Sequence, residues 1–221
     1  MTSIQTIQSG GKPIRVHYSE PETGAPFRAV LMLHGAGGNV YFWLDHIAPA
    51  IAQLGIAVYA VHYFDGTGTK YASAAVLADG VSIPAWLETV RDTLAWMAQR
   101  PGVDRERIAL LGVSLGGFVA LALGTEPAPG GVALRAIVDL SGGLAPPWDG
   151  MATEAFPPTL IVHGESDPVV PVVNAHLLDA LLTRLKVKHE LHTFPHEGHW
   201  FSMRAQEEIL RGIAGFLDEY L

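Results

Sequence analysis

Two glycines bracket a serine at Gly112-Val113-Ser114-Leu115-Gly116, a G-x-S-x-G pattern that closes an apolar run and opens a helical one. A serine hydroxyl attacks a carbonyl only when a neighbouring base takes its proton, and that base needs an acid to fix its tautomer. Both follow later strands, Asp167 within His163-Gly164-Glu165-Ser166-Asp167-Pro168 after the apolar run Thr159–Val162, and His199 within His196-Glu197-Gly198-His199-Trp200 after the final strand Lys188–Phe194. A sharp strand-to-helix turn lifts such a hydroxyl clear of a sheet, and glycines two before and two after remove the side chains that would clash. The bare pattern arises by chance in roughly one chain in ten at this glycine content, so its weight comes from its placement. As a mere helix cap, Ser114 would need neither partner.

A second signal follows the run Ala29 to Leu33: His34-Gly35-Ala36-Gly37-Gly38. Acyl transfer puts negative charge on the former carbonyl oxygen, and preorganised backbone N–H groups there are worth about 2.7–4 kcal/mol each. Small residues let the backbone come close, which assigns the amides of Ala36 and Leu115 to an oxyanion hole, with Gly37 as the alternative to Ala36. No G-x-x-x-x-G-K-S/T is present, which argues against a phosphate cradle.

The other candidates carry plainer readings. His196 and His199 lie three apart in a loop, not four apart on a helix as in H-E-x-x-H, so no zinc site is expected. His34 and His163, before glycines at strand ends, read as buried structural residues. Asp139 and Glu165 are reserve acids, and Asp65 reads as a loop brace. Tyr41, Trp43, Tyr63, Phe64, Trp148 and Trp200 fall near the expected mouth. Of these Tyr63, Trp148 and Trp200 are the candidate pocket, Trp200 foremost for its place beside His199. No metal or cofactor is called for.

The elements that must position these residues read from hydrophobic periodicity. Ser3 to Gln8 and Ile14 to Ser19 alternate like half-exposed strands, joined through Gly10, Gly11 and Pro13. Continuous apolar runs at Ala29–Leu33, Ile56–Tyr63, Ile108–Val113, Ala136–Leu140 and Thr159–Val162 read as parallel strands covered on both faces, and Lys188–Phe194 adds a last one. Helical patterns lie between and after them at Tyr41–Gln53, Pro84–Gln99, Leu115–Gly124, Val172–Leu185 and Met203–Tyr220. The alternation predicts a mostly parallel α/β sheet with helices on both faces, and ligands of such sheets bind beyond the carboxyl ends of the strands. Gly142 to Pro158 is too short for an inserted cap domain. An open, shallow site follows, overhung by Gly66 to Ile83.

Composition narrows the function classes. At 221 residues the chain is expected to form one domain over 1–221. Hydrophobic residues at 49% against 16% charged exclude intrinsic disorder. Lys+Arg 14 against Asp+Glu 22, a net charge of −8, repels phosphate backbones, so nucleic acid is not an expected partner. Without cysteine there is no disulfide, thiolate nucleophile or Cys-ligated zinc. Ile108 to Gly124 nears the length of a membrane span. Arg105, Glu106 and Arg107 crowd one end, however, and Ser114 among glycines divides the run into strand, turn and helix, so no membrane association is expected. The opening residues lack the charged start and apolar run of a secretory signal, and a cytoplasmic location is the expectation. The oligomeric state, monomer or homodimer, is left open.

The order Ser114, Asp167, His199 is that of the α/β-hydrolases, and HGAGGN, YFDGTGT, GVSLGGF, HGESDPVVP and HEGHWF stand in the order and spacing of one family. From about Arg28 onward the chain resembles the dienelactone hydrolase family. The resemblance implies the α/β-hydrolase fold and an ester hydrolase acting on small molecules. The best-known members carry Cys where this chain has Ser114, and those acting on dienelactone hold its carboxylate with arginines; Arg204 lies shortly after His199, but a full pair is not matched here. The expected function is therefore a serine hydrolase of short-chain carboxylic esters, lactones or thioesters, fastest on acetate to butyrate. A small peptidase or acyltransferase of the same fold shares the acyl-enzyme chemistry, and a non-catalytic binding module is the alternative of another class.

Overall fold

The computed structural model describes Thr2 to Leu221, apart from the side chains of Phe42 and Trp43. Strands β1 (Ser3–Ser9) and β2 (Lys12–Ser19) form an antiparallel hairpin whose two-residue turn, Gly10-Gly11, has φ of 54° and 74°. Two successive positive φ values match the right-handed twist of a tight hairpin, and only glycine adopts them freely. Six strands follow: β3 (Phe27–Leu33), β4 (Ala57–Val61), β5 (Val103–Val113), β6 (Ala136–Leu140), β7 (Thr159–Gly164) and β8 (His189–Phe194). They order as β1-β2-β4-β3-β5-β6-β7-β8 in one open sheet, parallel from β4 to β8.

The apolar runs are explained by what covers each face. In β3, Ala29, Leu31 and Leu33 pack into one core with helices α4 (Ser82–Met97), α5 (Leu115–Gly124) and α6 (Val173–Leu185), while Val30 and Met32 enter a second core under α2 (Ala48–Ala52) and α7 (Met203–Tyr220). A strand sandwiched this way has no polar face to show.

The sequence expectation differs most from the structure in three places. The single helix expected over Tyr41–Gln53 is two, α1 (Tyr41–His46) and α2, because Pro49 has no N–H to give back to Asp45 and its ring crowds that turn. Strand β5 starts at Val103 rather than Ile108, its early part carrying the charged Arg105-Glu106-Arg107 beyond most of its neighbour, with Phe27 opposite Val103. Within Gly66 to Ile83 one helical turn, α3 (Ala74–Leu77), is capped by Ser73, and Asp79 then caps α4 by accepting from the amides of Val81 and Ser82 at 2.8 and 2.7 Å. Between β6 and β7 only a short 3-10 turn at Trp148–Gly150 forms, so no helical cap is inserted there. Among the described residues no helix is long and apolar enough to cross a membrane.

Candidate active site

Ser114 sits between β5 and α5 with φ 55° and ψ −121°, a region where a non-glycine residue costs about 1–3 kcal/mol. The surrounding glycines show what holds it there. A Cβ on Gly112 would lie 2.1 Å from the Gly116 carbonyl oxygen, and one on Gly116 would lie 2.2 Å from that of Leu33. The turn can be this tight, and this close to the end of β3, only without those side chains.

His199 reaches Ser114 from the loop after β8, its Nε2 3.0 Å from the serine Oγ and its Nδ1 2.7 Å from Asp167 Oδ2. The other carboxylate oxygen of Asp167 accepts from the amides of Val169 and Val170 at 2.8 and 2.9 Å. The carboxylate therefore takes Nδ1–H and leaves the imidazole Nε2 as the acceptor facing the hydroxyl. Gly164 lets the two loops meet, since a Cβ there would fall 2.4 Å from the Gly198 carbonyl oxygen. Glu197 fixes the far end of the His199 loop by accepting from the Ser202 amide and hydroxyl at 2.7 and 2.6 Å.

The HGAGG loop lies against this point. A Cβ on Gly35 would be 3.3 Å from Ser114 Cβ, and the Ala36 carbonyl is tied to the Ala72 amide at 2.9 Å. Leu115 is the first residue of α5, so its amide has no partner within the helix and belongs to the positive end of the dipole.

His163 does more than the expected structural filling. It is fully buried, burial pulls its pKa down, and its Nε2–H donates to the Val170 carbonyl at 2.8 Å while standing 3.5 Å from Asp167 Oδ2. It thus braces the turn whose amides hold Asp167. Nothing in the sequence showed this beyond its place four residues before the acid. His34 is buried too, stacked on Tyr63 at 4.0 Å, and burial lowers its pKa to about 4.

The remaining candidates separate. Tyr63 lies in the core rather than the pocket: it is fully buried and its hydroxyl donates to the His34 carbonyl at 2.6 Å. Phe64 is likewise core, and the side chain of Trp43 lies outside the described residues. Trp148 is half-buried and borders a cavity of about 220 Å³ lined also by Leu77, Ile83, Leu115 and Phe118. The sequence reading missed Phe118, and its place one turn after Ser114 was the available signal. Trp200 is 72% exposed, edge-on to His199 at 5.4 Å, at the rim of a second cavity. Glu165 is exposed and accepts from Thr193 at 2.8 Å, and Asp65 is held by Arg15 as a loop brace. Asp139 is wholly buried beneath α5, against Gly117 and Gly142, and burial pushes its carboxyl up to about 8. His196 is exposed, and no group of His, Asp or Glu among the described residues is placed to hold a metal.

The model of the dienelactone hydrolase family matches residues 14–214. The chain belongs to this family. Membership makes it a hydrolase of carboxylic esters in class, and solved structures share its fold. A dienelactone hydrolase-like promiscuous phosphotriesterase from metagenomic libraries superposes with a TM-score of 0.83 at 20% identity, covering 100% of this chain and 98% of its own. A dienelactone hydrolase from Anabaena variabilis gives 0.79 at 18% identity over 100% and 98%, and a carboxylesterase from Lactobacillus plantarum 0.74 at 17% over 90% and 84%. No curated protein matches the sequence. Arg204 stands exposed on the first turn of α7.

Proposed function

We propose that this dienelactone hydrolase family member cleaves short-chain carboxylic esters through an acyl-enzyme on Ser114. The Ser114 hydroxyl adds to the ester carbonyl as its proton passes to His199 Nε2, while Asp167 stabilises the imidazolium that forms. The amides of Ala36 and Leu115 receive the negative oxygen. The intermediate collapses by breaking the bond to the alcohol oxygen, which takes the proton back from His199. Water, deprotonated by the same imidazole, then adds to the acyl-enzyme, and the carboxylic acid leaves as the proton returns to Ser114. The observation that carries this reading is the unbroken chain from Asp167 through His199 to Ser114, at 2.7 and 3.0 Å, on a serine held at positive φ.

The acyl group, placed against Leu115, enters the cavity of about 220 Å³ bordered by Leu77 and Ile83. At a water-sized share of about 30 Å³ per group, this has room for about seven methylene-sized groups, so kcat/KM climbs from acetate and declines before decanoate. That upper limit lies a few carbons beyond the acetate-to-butyrate range read from the sequence.

Ser114→Ala tests the mechanism. It should lose at least about 10³-fold in kcat while keeping its fold, because the three residues act as a unit. A fluorophosphonate should label Ser114 and no other serine. Label on a different serine, or near-full activity in the variant, refutes the assignment.

A further inference from the structure

A cavity of about 230 Å³ borders His199 and, among the described residues, shares no lining residue with the cavity at Leu115. Its walls include Val113, which immediately precedes Ser114, together with Ile47, Phe201, Ile209 and Leu210. Trp200 stands at its rim, edge-on to the imidazole. Among the described residues, the polar side chains bordering it besides His199 and the Trp200 indole are His46 and Gln206, and Gln206 gives one Nε2–H to the Phe201 carbonyl at 2.8 Å.

The collapse of a tetrahedral intermediate decides what this space is for. With the negative oxygen at the Ala36 and Leu115 amides, the departing oxygen must lie within reach of His199 Nε2 to receive its proton. Whatever that oxygen carries is therefore on the His199 side. An apolar volume at that position rewards an apolar alcohol, since each methylene taken out of water is worth about fourfold in binding. On the reading above, we infer that the enzyme selects its substrates by the alcohol half. They are esters of compact apolar alcohols of about seven non-hydrogen atoms, branched or cyclic, seated between Trp200 and α7.

Acetate esters of methanol, butanol and cyclohexylmethanol test this, since their leaving alcohols differ little in acidity, with acid release followed in a pH-stat. Wild-type kcat/KM should rise from methyl to cyclohexylmethyl acetate by at least about tenfold. Leu210→Trp, which fills the cavity, should cut the cyclohexylmethyl-to-methyl ratio by about tenfold, and Ile209→Ala, which enlarges it, should raise the ratio for bulkier alcohols. The methyl butyrate-to-methyl acetate ratio, which reads the Leu115 side, should keep its wild-type value in both. A flat wild-type series overturns the inference, as does an alcohol ratio that Ile209→Ala leaves unmoved. If Leu210→Trp fails to fold, Ile209→Ala still decides. An enzyme that hydrolyses none of these esters and takes no label at Ser114 overturns the acyl-enzyme reading itself, whereas labelled, active enzyme with a flat alcohol series overturns only the cavity assignment.

Discussion

The proposed nucleophile, base and acid are linked by short hydrogen bonds, but the proposed acid depends on a residue outside that chain of proton transfer. Asp167 Oδ1 is held by the Val170 amide, and the Val170 carbonyl in turn is held by His163. Removing one such bond costs about 0.5–1.5 kcal/mol, or up to roughly tenfold in rate if it is expressed only through the placement of Asp167. His163→Phe should lower kcat by about tenfold with KM nearly unchanged, and His163→Gln, which restores an N–H near the same place, should recover most of it. Equal losses in both variants, or a loss confined to KM, would make His163 only a packing residue. The candidate site residues stood out in the sequence because each follows the end of a strand-like segment. What was not legible is where a side chain points once the strand has ended. Tyr63 follows β4 as Ser114 follows β5, yet its ring turns into the core to stack on His34.

At the scale of elements, the turn carrying Ser114 is built from missing side chains. Gly116→Ala puts a methyl group 2.2 Å from the Leu33 carbonyl oxygen, at the point where α5 crosses the end of β3. Backbone on both sides must shift, a cost at or above the about 1–3 kcal/mol typical of overpacking. Gly215→Ala, in α7 with nothing within 4 Å of the added methyl, should instead gain about 0.5–1 kcal/mol in helix propensity. Thermal unfolding of the two variants side by side should show opposite shifts, and a Gly116→Ala protein as stable as wild type would contradict the close approach. The strands, and the helices α4 to α7, were readable from periodicity because burial on known faces sets their pattern. Helix α3 was not, since a single turn offers too few positions to show a period. The break at Pro49 was foreseeable from proline chemistry alone.

Over the whole molecule, buried histidines and one buried carboxyl give stability a maximum in pH. Burial lowers His34 and His62 to about 4, lowers His17 and His163 as well, and raises Asp139 to about 8. Below the ordinary imidazole value of about 6.5, the unfolded chain binds protons that the folded histidines refuse, so stability falls as pH drops toward 4. Above the ordinary carboxylate value of about 3.9, unfolded Asp139 ionises while folded Asp139 keeps its proton up to about 8, so its contribution falls as pH rises. The histidines outweigh the one carboxyl below pH of about 6.5, and between there and about 8 the Asp139 contribution falls unopposed by them. The melting temperature should peak near pH 6.5 and decline on both sides. Asp139→Asn should flatten the alkaline limb and leave the acid limb, and an alkaline limb that survives the substitution would assign it elsewhere.

The strand order has a further consequence for how the molecule yields under stress. Strand β8 lies at the edge, paired only with β7, and every one of its residues is partly open to water. Edges of this kind open first, by local excursions that need no global unfolding. The loop bearing His199 hangs from that edge, whereas Ser114 rises from β5 in the middle of the sheet. A chain with β8 detached would keep its cores under α4 and α5 and still present a serine, but one with no base. In rising urea, hydrolysis should therefore fail before the fluorescence of buried Trp86 reports loss of the core. Amides of β8 should exchange with deuterium faster than those of β5. Coincident transitions by both probes would mean instead that the sheet lets go as a single unit.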